Sequence, residues 1–351
     1  MNRLRLVLPV VAAVTLVAGS TTALAAPSAA PGAAPATATA LTALTTGRLA
    51  GSDRYKTAVA ISKANFVAPQ DSVVVASGQS FPDALGAGPM GAFLNAPLLL
   101  VPTSGTLPSS VAAELDRLQT QQIIVVGGPA AVSNSMVAQL AKHAPANATF
   151  TIDGLNRYDT AAQTSDGFQP PITGVPVYLA SGTTFPDALG GGAAAAIAGG
   201  TLLLTTPTKL PSETVTALKR IKPSKVVVLG GTGAISDTVL GQVRSTVGSA
   251  VPVTRVGGAN RFETAAKVSA ATVPSAQEVF LANGMNYPDA LAGAPVSIYG
   301  PGDTFRPLLL TQANCVPKAT LAEITRLGAT KVTALGGTAA VSDAALALKP
   351  C

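Results

Sequence analysis

Short, wholly apolar runs alternate along this chain with longer mixed stretches, and the alternation comes round three times. In the first third the runs are Val73-Val74-Val75, Leu98-Leu99-Leu100 and Ile123-Ile124-Val125-Val126. Strands that are apolar throughout, separated by helical stretches, indicate a parallel sheet covered on both faces. The first copy reads as a short strand at residues 48–50 and a helix from Asp53 to about residue 66. Strands at 72–76, 97–101 and 123–126 then alternate with helices at 82–93, 108–119 and 133–142. Val177-Tyr178-Leu179 and Val279-Phe280-Leu281 replace the valine triplet in the later copies. Each copy is predicted to be a small Rossmann-like α/β unit of about four parallel strands.

The copies also share motifs. Arg54-Tyr55-Lys56-Thr57-Ala58 returns as Arg157-Tyr158-Asp159-Thr160-Ala161 and as Arg261-Phe262-Glu263-Thr264-Ala265. Phe81-Pro82-Asp83-Ala84-Leu85 recurs as Phe185-Pro186-Asp187-Ala188-Leu189 and Tyr287-Pro288-Asp289-Ala290-Leu291. A leucine triplet follows each time, at residues 98–100, 202–204 and 308–310, and each copy closes on a glycine pair and a serine. These are Gly127, Gly128 and Ser133; Gly230, Gly231 and Ser236; Gly336, Gly337 and Ser342. The repeated arginines stand 103 and then 104 residues apart, far longer than a solenoid repeat and close to a small domain. The modules are expected at residues 47–148, 149–250 and 251–351, with connectors near 145–153 and 249–256.

The ends of the chain carry different information. Arg3 and Arg5, the apolar run at residues 6–17 and Ala23-Leu24-Ala25 have the layout of a secretory signal peptide over residues 1–25. Pro9 interrupts a run too short to cross a bilayer, and no membrane span is expected in the mature protein. Residues 26–46, nearly all Ala, Pro, Thr and Ser, read as a linker. Loss of Arg3 and Arg5 lowers the net charge of +6 by two, and the modest surplus that remains is compatible with an anionic partner. In an exported protein the two cysteines, Cys315 and Cys351, are expected to form a disulfide. A metal site is not expected, because His143 is the only histidine and no cysteine pair has ligand spacing.

Ligands of such sheets bind beyond the carboxyl ends of the strands, where the repeated residues fall. Many of these have a structural reading. Asp53, Asn156 and Asn260 suit the N-cap of the helix that follows, as do Ser133, Ser236 and Ser342. Ser80, Thr184 and Asn286 stand three residues before Asp83, Asp187 and Asp289, the spacing of a capping box. The arginines are different, since a positive charge near a helix N-terminus opposes the macrodipole. Arg54, Arg157 and Arg261 persist while the residue two positions later drifts through Lys56, Asp159 and Glu263. The arginines therefore have a specific partner, either Asp83, Asp187 and Asp289 across a module contact or an anionic ligand.

Taken together, Gly51-Ser52-Asp53-Arg54-Tyr55, the Phe-Pro-Asp-Ala-Leu segments, the leucine triplets and the Gly-Gly endings resemble the cell wall-binding repeat type 2 family. The resemblance covers the chain beyond the linker in three copies. It implies a non-catalytic anchoring unit of Gram-positive surface proteins, secreted and wall-associated. It further implies three Rossmann- or Toprim-like modules in a pseudo-threefold trimer, attached non-covalently to anionic secondary wall polymers of the teichoic-acid type. Family members usually carry a further functional domain, and none fits in the remaining residues. The chain is thus expected to be an anchor in itself or to have another polypeptide as cargo. Locally, Gly300-Pro301-Gly302-Asp303 inserts a turn before the third leucine strand, and Cys315 interrupts the loop after it.

The candidate polymer-binding residues are Arg54, Arg157, Arg261, Asp83, Asp187, Asp289, Ser133, Ser236 and Ser342. With no Trp and few aromatics, recognition is expected to rest on arginines and helix-end amides facing phosphate rather than on sugar stacking. Neither a cofactor nor a nucleic-acid partner is expected. The alternative is a wall enzyme using the Asp and Ser sets, or a regulator docked on a wall hydrolase. An activated serine needs a base, and His143 has no counterpart in the other modules. A divalent ion held by acidic residues, as a Toprim-like fold allows, is a further alternative.

Overall fold

The computed structural model describes residues 44–166, 172–299 and 305–351, so the expected signal peptide, most of the linker and the turn read at residues 300–303 lie outside the described residues. The first repeat comprises β1 (Thr45–Leu49), α1 (Arg54–Asn65), β2 (Ser72–Ser77), α2 (Phe81–Ala84), α3 (Ala87–Phe93), β3 (Leu98–Val101), α4 (Ser109–Leu118), β4 (Gln122–Val126) and α5 (Asn134–Leu140). The second runs through β5 (Thr149–Ile152), α6 (Arg157–Thr164), β6 (Val177–Ser181), α7 (Pro186–Ile197), β7 (Thr201–Thr205), α8 (Ser212–Ile221), β8 (Val226–Leu229) and α9 (Asp237–Val247). The third has β9 (Val253–Val256), α10 (Arg261–Thr272), β10 (Glu278–Asn283), α11 (Pro288–Gly293), β11 (Leu308–Thr311), α12 (Lys318–Leu327), β12 (Lys331–Leu335) and α13 (Asp343–Leu346). The helix read over residues 82–93 is split into α2 and α3, whereas its counterpart α7 is continuous.

Three four-stranded parallel sheets result, in the orders β3-β2-β4-β5, β7-β6-β8-β9 and β11-β10-β12-β1. The sheets are out of phase with the sequence repeats. The stretches read as connectors contain β5 and β9, each the edge strand of the preceding unit's sheet. The strand read at residues 48–50 does not join the first unit either. It begins at Thr45, inside the stretch read as linker, and pairs with β12 in register from Thr45↔Lys331 to Leu49↔Leu335. The reason lies in connectivity: β4-α5-β5 is a parallel crossover, so the strand after α5 returns beside β4. β1 occupies beside β12 the edge that β5 and β9 occupy beside β4 and β8, and so closes a ring of three units.

Strand alternation explains the leucine triplets, because successive side chains point to opposite faces. Leu202 and Leu204 in β7, and Leu308 and Leu310 in β11, face a core shared with the first unit, together with Tyr178, Ala180, Phe280 and Ala282. The middle residues, Leu203 and Leu309, face separate outer cores with Leu179 and Leu281. Small residues on the central helices let the units approach closely: a Cβ at Gly88 in α3 would lie 2.6 Å from that of Ala294. The aromatic residues of the Phe-Pro-Asp motifs meet at the centre. Ring centroids of Phe81, Phe185 and Tyr287 are 5.5, 5.6 and 5.7 Å apart, a near-equilateral triangle that marks a pseudo-threefold axis. Cys315 and Cys351 form the expected disulfide.

Candidate functional site

At each of the three junctions the start of one unit's first helix meets the start of its neighbour's central helix. Asp53, Asn156 and Asn260 cap α1, α6 and α10 as their side chains suggest, accepting from the N–H of Lys56, Asp159 and Glu263 at 2.8, 3.0 and 3.0 Å. The next residue is the repeated arginine. Its Nη1 donates to a glycine carbonyl at the end of the central strand of its own unit: Arg157 to Gly182 at 2.6 Å, Arg261 to Gly284 at 2.8 Å, and Arg54 to Gly78. Only glycine leaves room there. A Cβ on Gly182 would stand 2.6 Å from Tyr158 Cε1 and 3.2 Å from Arg157 Cδ.

The aspartates approach the same helices from the neighbouring unit. Asp187 hydrogen-bonds Thr264 and feels Arg261, while Asp289 does the same with Thr57 and Arg54. Burial raises both carboxyl pKa values, and the threonine hydroxyl and arginine pull them partly back. The first glycine of each pair makes room for the carboxylate. Gly230 and Gly336 adopt φ of +90° and +106°, and a Cβ on either would lie 2.3 Å from Oδ2 of Asp187 or Asp289. These aspartates do not form the capping boxes read from the sequence. Ser80 makes no side-chain cap bond, and α7 and α11 start after Phe185 and Tyr287 without one. The carboxylates face the adjacent unit instead of their own helix start.

The structure therefore gathers the arginines and aspartates but not the serines. Ser133, Ser236 and Ser342 cap α5, α9 and α13, accepting from Met136, Val239 and Ala345 N–H at 3.3, 3.4 and 3.2 Å. Between the first and second units a cleft of about 370 Å³ is lined by Ser80, Asp83, Gly128, Asn156 and Arg157. Between the second and third, one of about 330 Å³ is lined by Thr184, Asp187, Gly231, Asn260 and Arg261. None of the three capping serines lines either cleft.

Three further sets of residues, which the sequence reading did not assign to the site, belong to it. Thr57, Thr160 and Thr264 accept from Gly51, Gly154 and Gly258 N–H at 3.2, 3.2 and 3.0 Å, and two of them bond the aspartates. Gly78, Gly182 and Gly284 receive the arginines. Arg48 and Arg255, on the donated strands, reach the Gly336 and Gly230 carbonyls at 2.8 and 3.1 Å and pair with Asp343 and Asp237 at 2.9 and 3.1 Å. The signal that could have found them is their recurrence. Both partners of that last pair change together in the first unit's sheet, where Thr151 and Asn134 stand at the corresponding positions.

Residues 48–137, 151–240 and 255–346 match the family described as Cell wall binding domain 2 (CWB2). The chain belongs to this family. It is 34% identical over 250 residues to the N-acetylmuramoyl-L-alanine amidase LytC of Bacillus subtilis (strain 168), covering 71% of this chain and 48% of that protein. It is 28% identical over 255 residues to the Amidase enhancer of the same strain, covering 72% of this chain and 33% of that one. The chain thus spans half or less of the length of both relatives. Two Clostridium difficile structures share the fold. Cwp6 has a TM-score of 0.78 at 23% identity, covering 87% of this chain and 47% of that one. Cwp8 has 0.74 at 24%, covering 86% and 50%. The CWB2 repeats are binding modules, and the protein is cell wall-associated. No helix among the described residues is long and apolar enough to cross a membrane.

The raised carboxyls give the CWB2 junctions a pH signature. A folded pKa above the unfolded value means that the folded state binds the proton more readily. Stability therefore rises as pH falls from above the folded values of Asp187 and Asp289 toward the ordinary carboxylate range near about 3.9. Thermal unfolding across acidic pH is expected to show this rise in the wild type superimposed on other groups. In the Asp187→Asn/Asp289→Asn variant that component should vanish, and an identical pH profile would refute the assignment.

Proposed function

We propose that the chain is a non-catalytic wall anchor that holds an anionic, phosphate-bearing wall polymer in the clefts between its units. The observation that carries this reading is the arginine in each cleft. Arg157 and Arg261 each use Nη1 on a glycine carbonyl, and each residue lines an open cavity beside a helix N-terminus. Such a fork suits the oxygens of a phosphate diester, and nearby amide dipoles favour negative charge. The aspartates keep each cleft near neutrality, so single contacts are weak and linked sites supply avidity along a repeating polymer.

Two observations weigh against the enzyme reading. The serine hydroxyls are engaged as helix caps, and His143 pairs with Asp116 at 2.6 Å on the first unit, away from the clefts' lining residues. A companion wall hydrolase is the second reading, favoured by the names of the two Bacillus subtilis relatives, an amidase and an amidase enhancer.

The test is retention on purified wall sacculi before and after removal of their anionic polymer. Retention is expected on untreated walls, loss on stripped ones, and progressive release as salt approaches roughly 1 M, where the screening length falls to about 3 Å. Equal binding to stripped walls would refute the polymer as the ligand.

A further inference from the structure

Both clefts hold a carboxylate beside their arginine, which a site for a plain anion does not need. Asp83 of α2 and Arg157 of α6 line the first, and Asp187 and Arg261, from α7 and α10, line the second. A carboxylate so placed repels a phosphate, in a setting where water screens the charges only in part. The two groups do not cancel by bridging. Among the described residues neither Arg157 nor Arg261 forms an ion pair with any carboxylate, whereas Arg48 and Arg255 pair with Asp343 and Asp237 at 2.9 and 3.1 Å.

Other contacts hold the opposite charges apart. Nη1 of each arginine is fixed on a glycine carbonyl of its own unit, and the Arg261 guanidinium carbon stands 5.9 Å from the centre of the Phe185 ring. Asp187, from the neighbouring unit, bonds the Thr264 hydroxyl and sets Oδ2 against Gly230. Burial raises its carboxyl pKa, and Thr264 and Arg261 offset this only in part, so the negative charge lacks a full counter-charge. Donors for an oxyanion stand at the helix starts. Asn156 and Asn260 take the second and third amides of α6 and α10. They leave the first, the Arg157 and Arg261 N–H, without a partner among the described residues. Arg54 and Asp289 repeat the relation at the third junction, again without an ion pair between them.

We infer that the clefts read a zwitterionic unit, with a phosphate group at the arginine and the free helix amide and an ammonium group a few bonds away at the aspartate. This rests on the wall-polymer reading proposed above and narrows it, from a polymer that bears phosphate to one that bears phosphate and amine together. The aspartate then selects the ligand, and does not merely weaken the hold on it. Cavities of about 370 and 330 Å³ lie at the small end of the range for small-molecule sites, roughly 300–1,000 Å³, and suit one such unit at a time.

The experiment titrates the folded full chain with phosphoethanolamine and with glycerol 3-phosphate, two small phosphate monoesters that differ in carrying an ammonium group or hydroxyls. Arginine Nε–H resonances, assigned by substitution to Gln, report the binding. Phosphoethanolamine is expected to bind about two- to fivefold tighter despite its smaller net negative charge, the worth of one partly exposed ion pair. Asp83→Asn/Asp187→Asn should reverse the order, because the carboxylate no longer attracts the ammonium or repels the phosphate. Aspartates that only hold the junctions together would leave the order as it was. The single substitutions, each read through the arginine of its own cleft, serve if the double variant does not fold. On untreated walls, acetylating free amines while leaving phosphate in place is expected to lower retention. Equal affinity for the two probes overturns the inference, as does an order that survives the substitutions. Unchanged retention on acetylated walls overturns it too and leaves the phosphate reading in place. If neither probe shifts Arg157 or Arg261 while untreated walls retain the protein, the inference falls and wall binding stands. Failure of the wild type to be retained at all removes the proposed function itself.

Discussion

A chain that begins at Gly51 is expected to lose protection in its third sheet and to leave its first intact. β1 pairs with β12 along all five of its residues, and Arg48 adds bonds to Gly336 and Asp343. At about 1 kcal/mol net for each ladder bond, the loss is several kcal/mol. Hydrogen exchange followed by mass spectrometry should show β12 peptides opening at least about tenfold faster, which corresponds to about 1.4 kcal/mol. Peptides from β4, whose edge partner β5 is retained, should exchange as before. A synthetic peptide covering residues 44–53, added in excess, should restore the slow rate. Faster exchange in β2 and β4 instead would return β1 to the first unit and break the ring of three units.

The second large effect is expected at the other end of the same sheet. The disulfide joins residues 36 apart, and closing such a loop in the unfolded chain is worth about 3–4 kcal/mol on the chain-entropy account. The bond holds a short backbone pairing in which Val316 N–H donates to Lys349 and Cys351 N–H to Val316, at 2.7 and 3.1 Å. Cys315→Ser/Cys351→Ser should lower the denaturant midpoint, with a slope no smaller than the wild type's because the unfolded chain is less constrained, and should free the Val316 amide to exchange. The first and second units have no equivalent cross-link among the described residues, so their exchange should be unaffected. A variant with unchanged midpoint and a protected Val316 amide would show that the pairing holds without the bond.

Elements governed by short-range physics are legible in the sequence. The Asp and Asn residues that precede each arginine cap their helices, and Ser133, Ser236 and Ser342 do likewise, because a cap involves only a side chain and an amide two or three residues away. The capping box at Asp83 and its counterparts fails by the same logic. Its spacing satisfies the local rule, but a neighbouring unit offers a threonine hydroxyl and an arginine that the local rule does not include.

The sequence alone determined the period, the alternation of apolar strands and helices, the recurrence of arginine and aspartate, and the two cysteines that pair. These follow from propensity, hydrophobic periodicity and repetition, each read within a few residues or by aligning one copy on the next. Only the tertiary structure decided which sheet receives β1, that each arginine first bonds its own unit's glycine, and that Asp187 and Asp289 belong to their neighbours. It also set the Tyr287 hydroxyl of the third unit against the Gly78 carbonyl of the first. Those outcomes depend on groups from distant parts of the chain meeting at one axis, and a repeat, being the same in every copy, carries no information about which copy its residues will meet.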